Sequence, residues 1–283
     1  MAFDLSYDFY KEEVFNLINS DEKFISAIRN QNQILEYKDL HKLLLNPIFP
    51  FQKPKVNSII EFGCGTGWLC NTIARYYKKK DITAIDFTSK ALLVAKQVSS
   101  KLNININYKE ADIFDYSDKR KYDLVVSTGV LHHTKDCRKA LDHISKFVDS
   151  GGHIYIGLYH LYSRKPMLKF LQSKCRWYGE NASYNLFKRM NKSMINLEHN
   201  YSWFRDQVLH PHETQHTYEE VLGWLEDLGF KVVSTSINNY ANIKKSKKED
   251  LFKLERKLEE YSYKKNVKEL QFNPGFFTVC AKK

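Results

Sequence analysis

The chain has 283 residues, of which 43% are hydrophobic and 14% aromatic. That composition is ordinary for a globular protein and long enough for one large domain with additions. The opening MAFDLSYDFYKEEVF has neither a basic region nor a long apolar stretch, so no signal peptide or transmembrane segment is expected. The net charge of +11 is uneven, with nine Lys and Arg against four Asp and Glu in 160–216, and twelve against six in 244–283. Such excess suits an anionic substrate, RNA or a membrane surface; a lysine-rich solvated face gives the same count and is the simpler reading. Five cysteines (Cys64, Cys70, Cys137, Cys175, Cys280) form no C-x-x-C pair. Neither a disulfide framework nor a zinc ribbon is expected, and a cytoplasmic location fits.

From Asp8 to Asn46 apolar residues recur at helical spacing (Phe9, Val14, Phe15, Ile18; Phe24, Ile25, Ile28; Ile34, Leu35, Leu40, Leu43), which predicts two or three helices. Pro47, Pro50 and Pro54 end them, so residues 1–50 read as an N-terminal helical cover and 51–283 as the main domain. The stretch VNSIIEFGCGTGWL, Val56 to Leu69, then reads as strand, tight turn and helix. Gly63, Gly65 and Gly67 permit positive φ and a close approach of backbone to a ligand at the helix start. A dinucleotide fingerprint would need a further glycine where Trp68 stands, and Glu61 would repel a pyrophosphate; a cationic group suits it better.

Ile82 to Ile85 is a short strand ending at Asp86, about 20 residues after Gly65, where a carboxylate accepts hydrogen bonds from ribose hydroxyls. Capping of the following helix KALLVAK is left to Thr88 or Ser89. Ile104 to Lys109 reads as the third strand and Tyr122 to Val130 as a central fourth one, apolar on both faces. A helix over 138–148 leads through Gly151 and Gly152 into a fifth strand, HIYIGLYH. From His160 to Thr217 basic and aromatic residues mix, among them Arg164, Lys165, Arg176, Trp177 and Trp203, as in helices inserted at the ligand-binding rim.

The segment HPHETQH, His210 to His216, contains H-E-x-x-H. That zinc motif needs one regular helix, whereas Pro211 precedes it and Thr217 with Glu220 opens a helix just after it as a capping box, so no metal site is expected. Gly229 ends that helix, 231–236 reads as a sixth strand, 244–270 as charged helix, and 276–281 as an antiparallel seventh strand.

The run from Val56 to Tyr159 resembles class I S-adenosyl-L-methionine (SAM)-dependent methyltransferases, in particular bacterial small-molecule enzymes of the ubiquinone and menaquinone-biosynthesis type. The likeness rests on the acidic residue before G-x-G-x-G, on Asp86, on Asp112 and Ile113, and on Leu131 to His133 with Asp136, Ala140 and Leu141. It implies an α/β fold: a Rossmann-like, seven-stranded, mostly parallel sheet with helices on both faces, an N-terminal helical cover, and a helical insertion after the fifth strand. It further implies SAM as cofactor, with Glu61, Gly63 and Gly65 at its methionine end, Asp86 at the ribose, Asp112 and Ile113 at the adenine, and Cys64, Gly67, Phe87 and Thr128 as further cofactor contacts. The N-terminal helices would bring Tyr7 or Tyr10 near substrate, although plain packing serves either tyrosine as well.

The pattern D-Q-x-x-H-P-H-E-x-x-H-T-x-x-E-V within 203–230 resembles a run in bacterial methyltransferases of this type. Candidate bases are then His133, His160, His212 and His216, and candidate substrate contacts Tyr159, Arg164 and Glu213, with 160–216 as a lid. The expected reaction is methyl transfer to O, N or C of a small metabolite. RNA or a peptide as acceptor, served by the basic insertion and C-terminal region, and a SAM-binding protein without catalysis are the alternatives.

Overall fold

The β-branched run Ser58–Phe62 forms β1, and the further strands follow the apolar segments in order: β2 (Asp81–Asp86), β3 (Asn107–Glu110), β4 (Tyr122–Thr128), β5 (Val148–Tyr159), β6 (Lys231–Thr235) and β7 (Phe276–Lys282). The computed structural model describes residues 56–76, 80–191, 197–241 and 243–283. The helices expected before Pro47, with Tyr7 and Tyr10, lie outside the described residues.

The strand order is β3-β2-β1-β4-β5-β7-β6. All pairings are parallel except those of β7, which runs antiparallel to both β5 and β6. The order reverses between β1 and β4, so the carboxyl ends of these strands open a crevice at the switch point. Helices cover both faces: α1 (Trp68–Tyr76) and α2 (Ser89–Lys101) one of them, α3 (Cys137–Ser145) and α7 (Tyr218–Asp227) the other.

Residue alternation explains both cores. In β4, Leu124 and Val126 face the first core while Val125 faces the second; in β7, Cys280 faces the first while Phe277, Val279 and Ala281 face the second. A strand buried on both sides must be apolar at every position, which is why YDLVVST has no polar alternation. In α2, Ala91, Leu92, Ala95, Val98 and Ser99 are buried, the spacing of one helical face.

Between β5 and α7 the chain forms α4 (Leu161–Tyr178), α5 (Glu180–Met190), α6 (Leu197–Phe204) and a π-helical turn at Arg205–Leu209. This insertion has a core of its own, with Met167, Leu171, Phe187, Met190, Phe204 and Val208. Two charged helices, α8 (Lys248–Arg256) and α9 (Leu258–Tyr263), follow β6.

Several expected boundaries move. The third strand begins at Asn107, three residues late, and the fifth at Val148, because the Gly151–Gly152 pair continues the strand through an irregular register with β4 instead of preceding it. Of the capping box at α7 only half forms: Thr217 Oγ1 accepts from the Glu220 amide at 3.1 Å, but the Glu220 carboxylate turns to His216 Nδ1 at 3.0 Å.

Candidate active site

At the crevice between β1, β2 and β4 lies a cavity of about 430 Å³. Its first end is built from residues close in sequence. The β1–α1 turn takes positive φ at Gly63 (+75°), where a Cβ would sit 2.3 Å from Val130 Cγ2, so only glycine lets the loop pass this wall residue. Gly63 and Cys64 amides donate to Ile85 O at 2.8 and 2.9 Å, and the Gly65 amide donates to Asp86 Oδ2 at 2.8 Å. These three amides are thus used within the fold, and the loop gives a ligand close approach more than open N–H groups.

Asp86 also accepts from the Thr88 amide at 2.9 Å, ordering the start of α2. Burial lifts its carboxyl above the usual range, opposed by those two amides. Glu61, 3% exposed, lines the cavity with an Oε2 that has no hydrogen-bond partner among the described residues. Burial holds its carboxyl well above the carboxylate range, with the neighbouring Cys70 thiol adding to the rise. An uncompensated buried carboxyl of this kind is the partner a cationic group requires. Asp112, Ile113, Phe114 and Phe87 complete this end, and the Asp112 Oδ1 accepts from the Phe114 amide at 2.7 Å.

The second end comes from distant segments: Thr128 to Val130, His133 and Thr134 after β4, Tyr159 at the end of β5, Trp203, Asp206 and Gln207 from the insertion, and Pro274 with Phe276 before β7. His133 Nδ1 lies 3.1 Å from His212 O, which assigns the proton to that nitrogen and leaves Nε2 as an acceptor. Burial lowers its pKa to about 3, so the ring is neutral. Gln207 Nε2 donates to Asp206 Oδ2 at 2.8 Å and to the Tyr159 hydroxyl, whose own proton faces Asp206 Oδ2 at 3.4 Å.

Of the sequence-derived cofactor residues, Glu61, Gly63, Cys64, Gly65, Asp86, Phe87, Asp112, Ile113 and Thr128 line the cavity; Gly67 does not. Its φ is +83° and a Cβ would lie 2.9 Å from Ala95 Cβ, so it packs the loop against α2. Among the described histidines only His133 lines the cavity.

The other three candidates do not line the cavity and are bonded within the fold. His160 caps α4 through Nδ1 and meets Glu255 Oε2 at 2.9 Å, with both side chains 1% exposed. His212 Nε2 bonds to Thr134 O at 3.0 Å, and His216 sits between Thr214 Oγ1 (2.9 Å) and Glu220. Residues 210–216 are not helical, and among the described residues no three His, Cys, Asp or Glu side chains are grouped to hold a metal.

Arg164 and Glu213, expected at substrate, form a buried ion pair behind Tyr159. Arg164 Nε donates to Glu213 Oε1 (2.8 Å), one Nη to Glu213 Oε2 and Gln207 O, the other to Gln207 Oε1 (2.9 Å) and Pro274 O (3.0 Å). Tyr159 lines the cavity, as do Asp206 and Gln207, which open the D-Q-x-x-H-P-H-E pattern but carry no local sign of that position. The histidines drew attention by residue type; burial beside the crevice had no local signal.

Comparison with known proteins agrees with this architecture. A family model described as a methyltransferase domain matches residues 52–270. Curated relatives include an uncharacterised protein of Synechococcus (23% identical over 63% of this chain and 48% of its own). A malonyl-[acyl-carrier protein] O-methyltransferase of Ilyobacter polytropus is 28% identical over 38% of this chain and 40% of its own, and a ubiquinone biosynthesis O-methyltransferase of Erwinia tasmaniensis 27% over 42% and 51%. The chain thus spans about half or less of the length of these three relatives. Among solved structures, PKMT2 of Rickettsia typhi aligns with TM-score 0.59 at 14% identity, over 85% of this chain and 51% of its own. The plantazolicin methyltransferase BpumL, solved with a pentazolic desmethylPZN analog and S-adenosylhomocysteine, aligns at 0.54 and 17% over 100% and 95%. These two likenesses speak for the fold. With the family model covering most of its length and the motifs of the crevice in order, the chain belongs to the methyltransferase domain family, in the class I SAM-dependent type.

Proposed function

We propose that this chain transfers a methyl group from SAM to a nucleophilic atom of a small-molecule metabolite. The observation that carries this reading is a cavity with two chemically distinct ends: an acidic, glycine-framed end at β1 and β2, and an end enclosed by β5 and the insertion. At the first end Glu61 would meet the donor's α-amino group, whose positive charge offsets the burial penalty on that carboxyl. Asp86 would accept from ribose hydroxyls with the lone pairs its two amides leave. Asp112 would accept from the adenine amino group while Ile113 and Phe114 cover the ring.

SAM supplies an electrophilic methyl group on a sulfonium. The chain's own task is then to hold an acceptor about 3–3.5 Å from that carbon, in line with the departing sulfur, and to keep water out. Tyr159, Trp203 and Phe276 supply the apolar enclosure, and His133, held neutral, offers Nε2 as a hydrogen-bond acceptor. The insertion 160–216 serves as the substrate-side wall. Of its cations, Arg164 is fully buried and Lys165 faces Glu259 at 3.4 Å.

Among the described residues no helix is long and apolar enough to cross a membrane. The five cysteines are all free, which supports a cytoplasmic location. The test is incubation with methyl-labelled SAM and fractionated cell extract: label in the low-molecular-weight fraction is expected, and label confined to RNA or protein overturns the reading.

A further inference from the structure

We infer that the second end of the cavity is an acceptor subsite for a neutral or cationic head group bearing an O–H or N–H, which donates to Asp206, and that it rejects carboxylates and phosphates. The inference rests on the reading above and narrows the acceptor atom to a proton-bearing oxygen or nitrogen.

The charge of the wall is the first ground. Among the described residues that line the cavity none is Lys or Arg, while Glu61, Asp86, Asp112 and Asp206 are all acidic. Arg164, which backs this end, faces the Tyr159 ring with its guanidinium carbon 3.4 Å from the centroid and is wholly buried. Its five N–H donors are matched by the five bonds to Glu213, Gln207 and Pro274, so it has none to offer an anion. A carboxylate entering here would be desolvated beside the Asp206 carboxyl with no lysine or arginine among the described lining residues to pair with it.

The second ground is the way Asp206 is held. The π-helical turn at Arg205–Leu209 carries Asp206 and Gln207 side by side to the cavity wall, 5% exposed each. Arg164 donates to Gln207 Oε1, which fixes the amide orientation and commits Nε2 to Tyr159 and Asp206. The Tyr159 hydroxyl, accepting from Gln207, has its own proton for Asp206. These donors stabilise a carboxylate at a wall where His133 Nε2 is also an acceptor. Asp206 and His133 Nε2, as acceptors at this wall, favour a ligand that donates.

During transfer the heteroatom's lone pair forms the bond to the methyl carbon, the carbon–sulfur pair leaves with sulfur, and the heteroatom's proton passes to the Asp206 carboxylate and then to solvent. Arg164 and Gln207 are positioning residues in this scheme.

The experiment compares catechol with benzoate, probes of similar size, binding to the S-adenosylhomocysteine-loaded protein by saturation-transfer NMR and calorimetry. Catechol should bind at least about tenfold tighter in the wild type. In Asp206→Asn, which should keep its S-adenosylhomocysteine affinity, the ratio should fall to about twofold or less. Benzoate binding as well as catechol, failure of both probes to bind, or an unaltered ratio in a variant that still binds S-adenosylhomocysteine overturns the inference and leaves the proposed function standing. Absence of S-adenosylhomocysteine binding in the wild type defeats both. If Asp206→Asn does not fold, the wild-type ratio decides.

Discussion

The two ends of the crevice are made differently. The donor end is local: the turn after β1, the carboxylate at the end of β2 and the pair after β3 each sit in a few consecutive residues, tied by bonds such as Gly65 N to Asp86. The acceptor end joins Tyr159, Gln207 and Phe276 through a buried arginine whose partners lie 43, 49 and 110 residues away. The donor end rests on the two cores of the sheet, and the acceptor end leans on the separate core of the insertion. The comparison predicts that damage at one end leaves the other working.

The largest effect should come from the buried ion pair. Arg164→Ala strands Glu213 and frees Gln207, and should cost about 3–5 kcal/mol, read as a lower denaturant midpoint at unchanged slope. Replacing both Arg164 and Glu213 by leucine should cost less than Arg164→Ala, because no unpaired charge is left buried. A double replacement that is the more destabilising of the two would contradict this account of the wall.

Next come the donor-end changes. Asp86→Ala should weaken S-adenosylhomocysteine binding by about 1.5–3 kcal/mol. Calorimetry finding no loss would remove Asp86 from the ribose. Gly63→Ala, at φ +75° and against Val130, should cost about 1–3 kcal/mol of stability and lower the same affinity.

A smaller effect concerns protons. The His133 pKa is about 3 when folded, against about 6.5 unfolded, so between those values the unfolded chain binds the extra proton. Its contribution is therefore constant above about pH 6.5 and is lost as pH falls toward 3, by about 1–2 kcal/mol at pH 5. His133→Gln should flatten the fall in melting temperature between pH 7 and 5; an equally steep fall in the variant would mean that His133 is not the group responsible.

The finest test separates the ends directly. A Cβ on Gly157 would lie 2.3 Å from Phe276 Cζ, so Gly157→Ala should displace that ring from the acceptor wall. Acceptor KM should rise severalfold while S-adenosylhomocysteine affinity stays within about twofold.

The same division explains what could be read from sequence. The succession of strands and helices after Val56, and the residues that gather at the first end of the cavity, were legible because periodicity, glycines and strand-end carboxylates are local signals. Gly67 stands outside the cavity lining, its positive φ serving packing against Ala95, which a spacing pattern does not distinguish from ligand approach. His160, His212 and His216 looked reactive by type, yet each is bonded within the fold: to Glu255 for the first, to Thr134 O for the second, to Glu220 and Thr214 for the third. Asp206 and Gln207 gave the opposite error, since their place at the crevice depends on the π-helical turn and on Arg164 from another helix.

The most direct measurement is a crystal structure with S-adenosylhomocysteine bound. The account predicts adenine against Ile113, ribose hydroxyls at Asp86, the amino group at Glu61 and the sulfur facing Tyr159 and Asp206. A nucleoside stacked on Trp203 under the insertion, with Glu61 and Asp86 untouched, would contradict it.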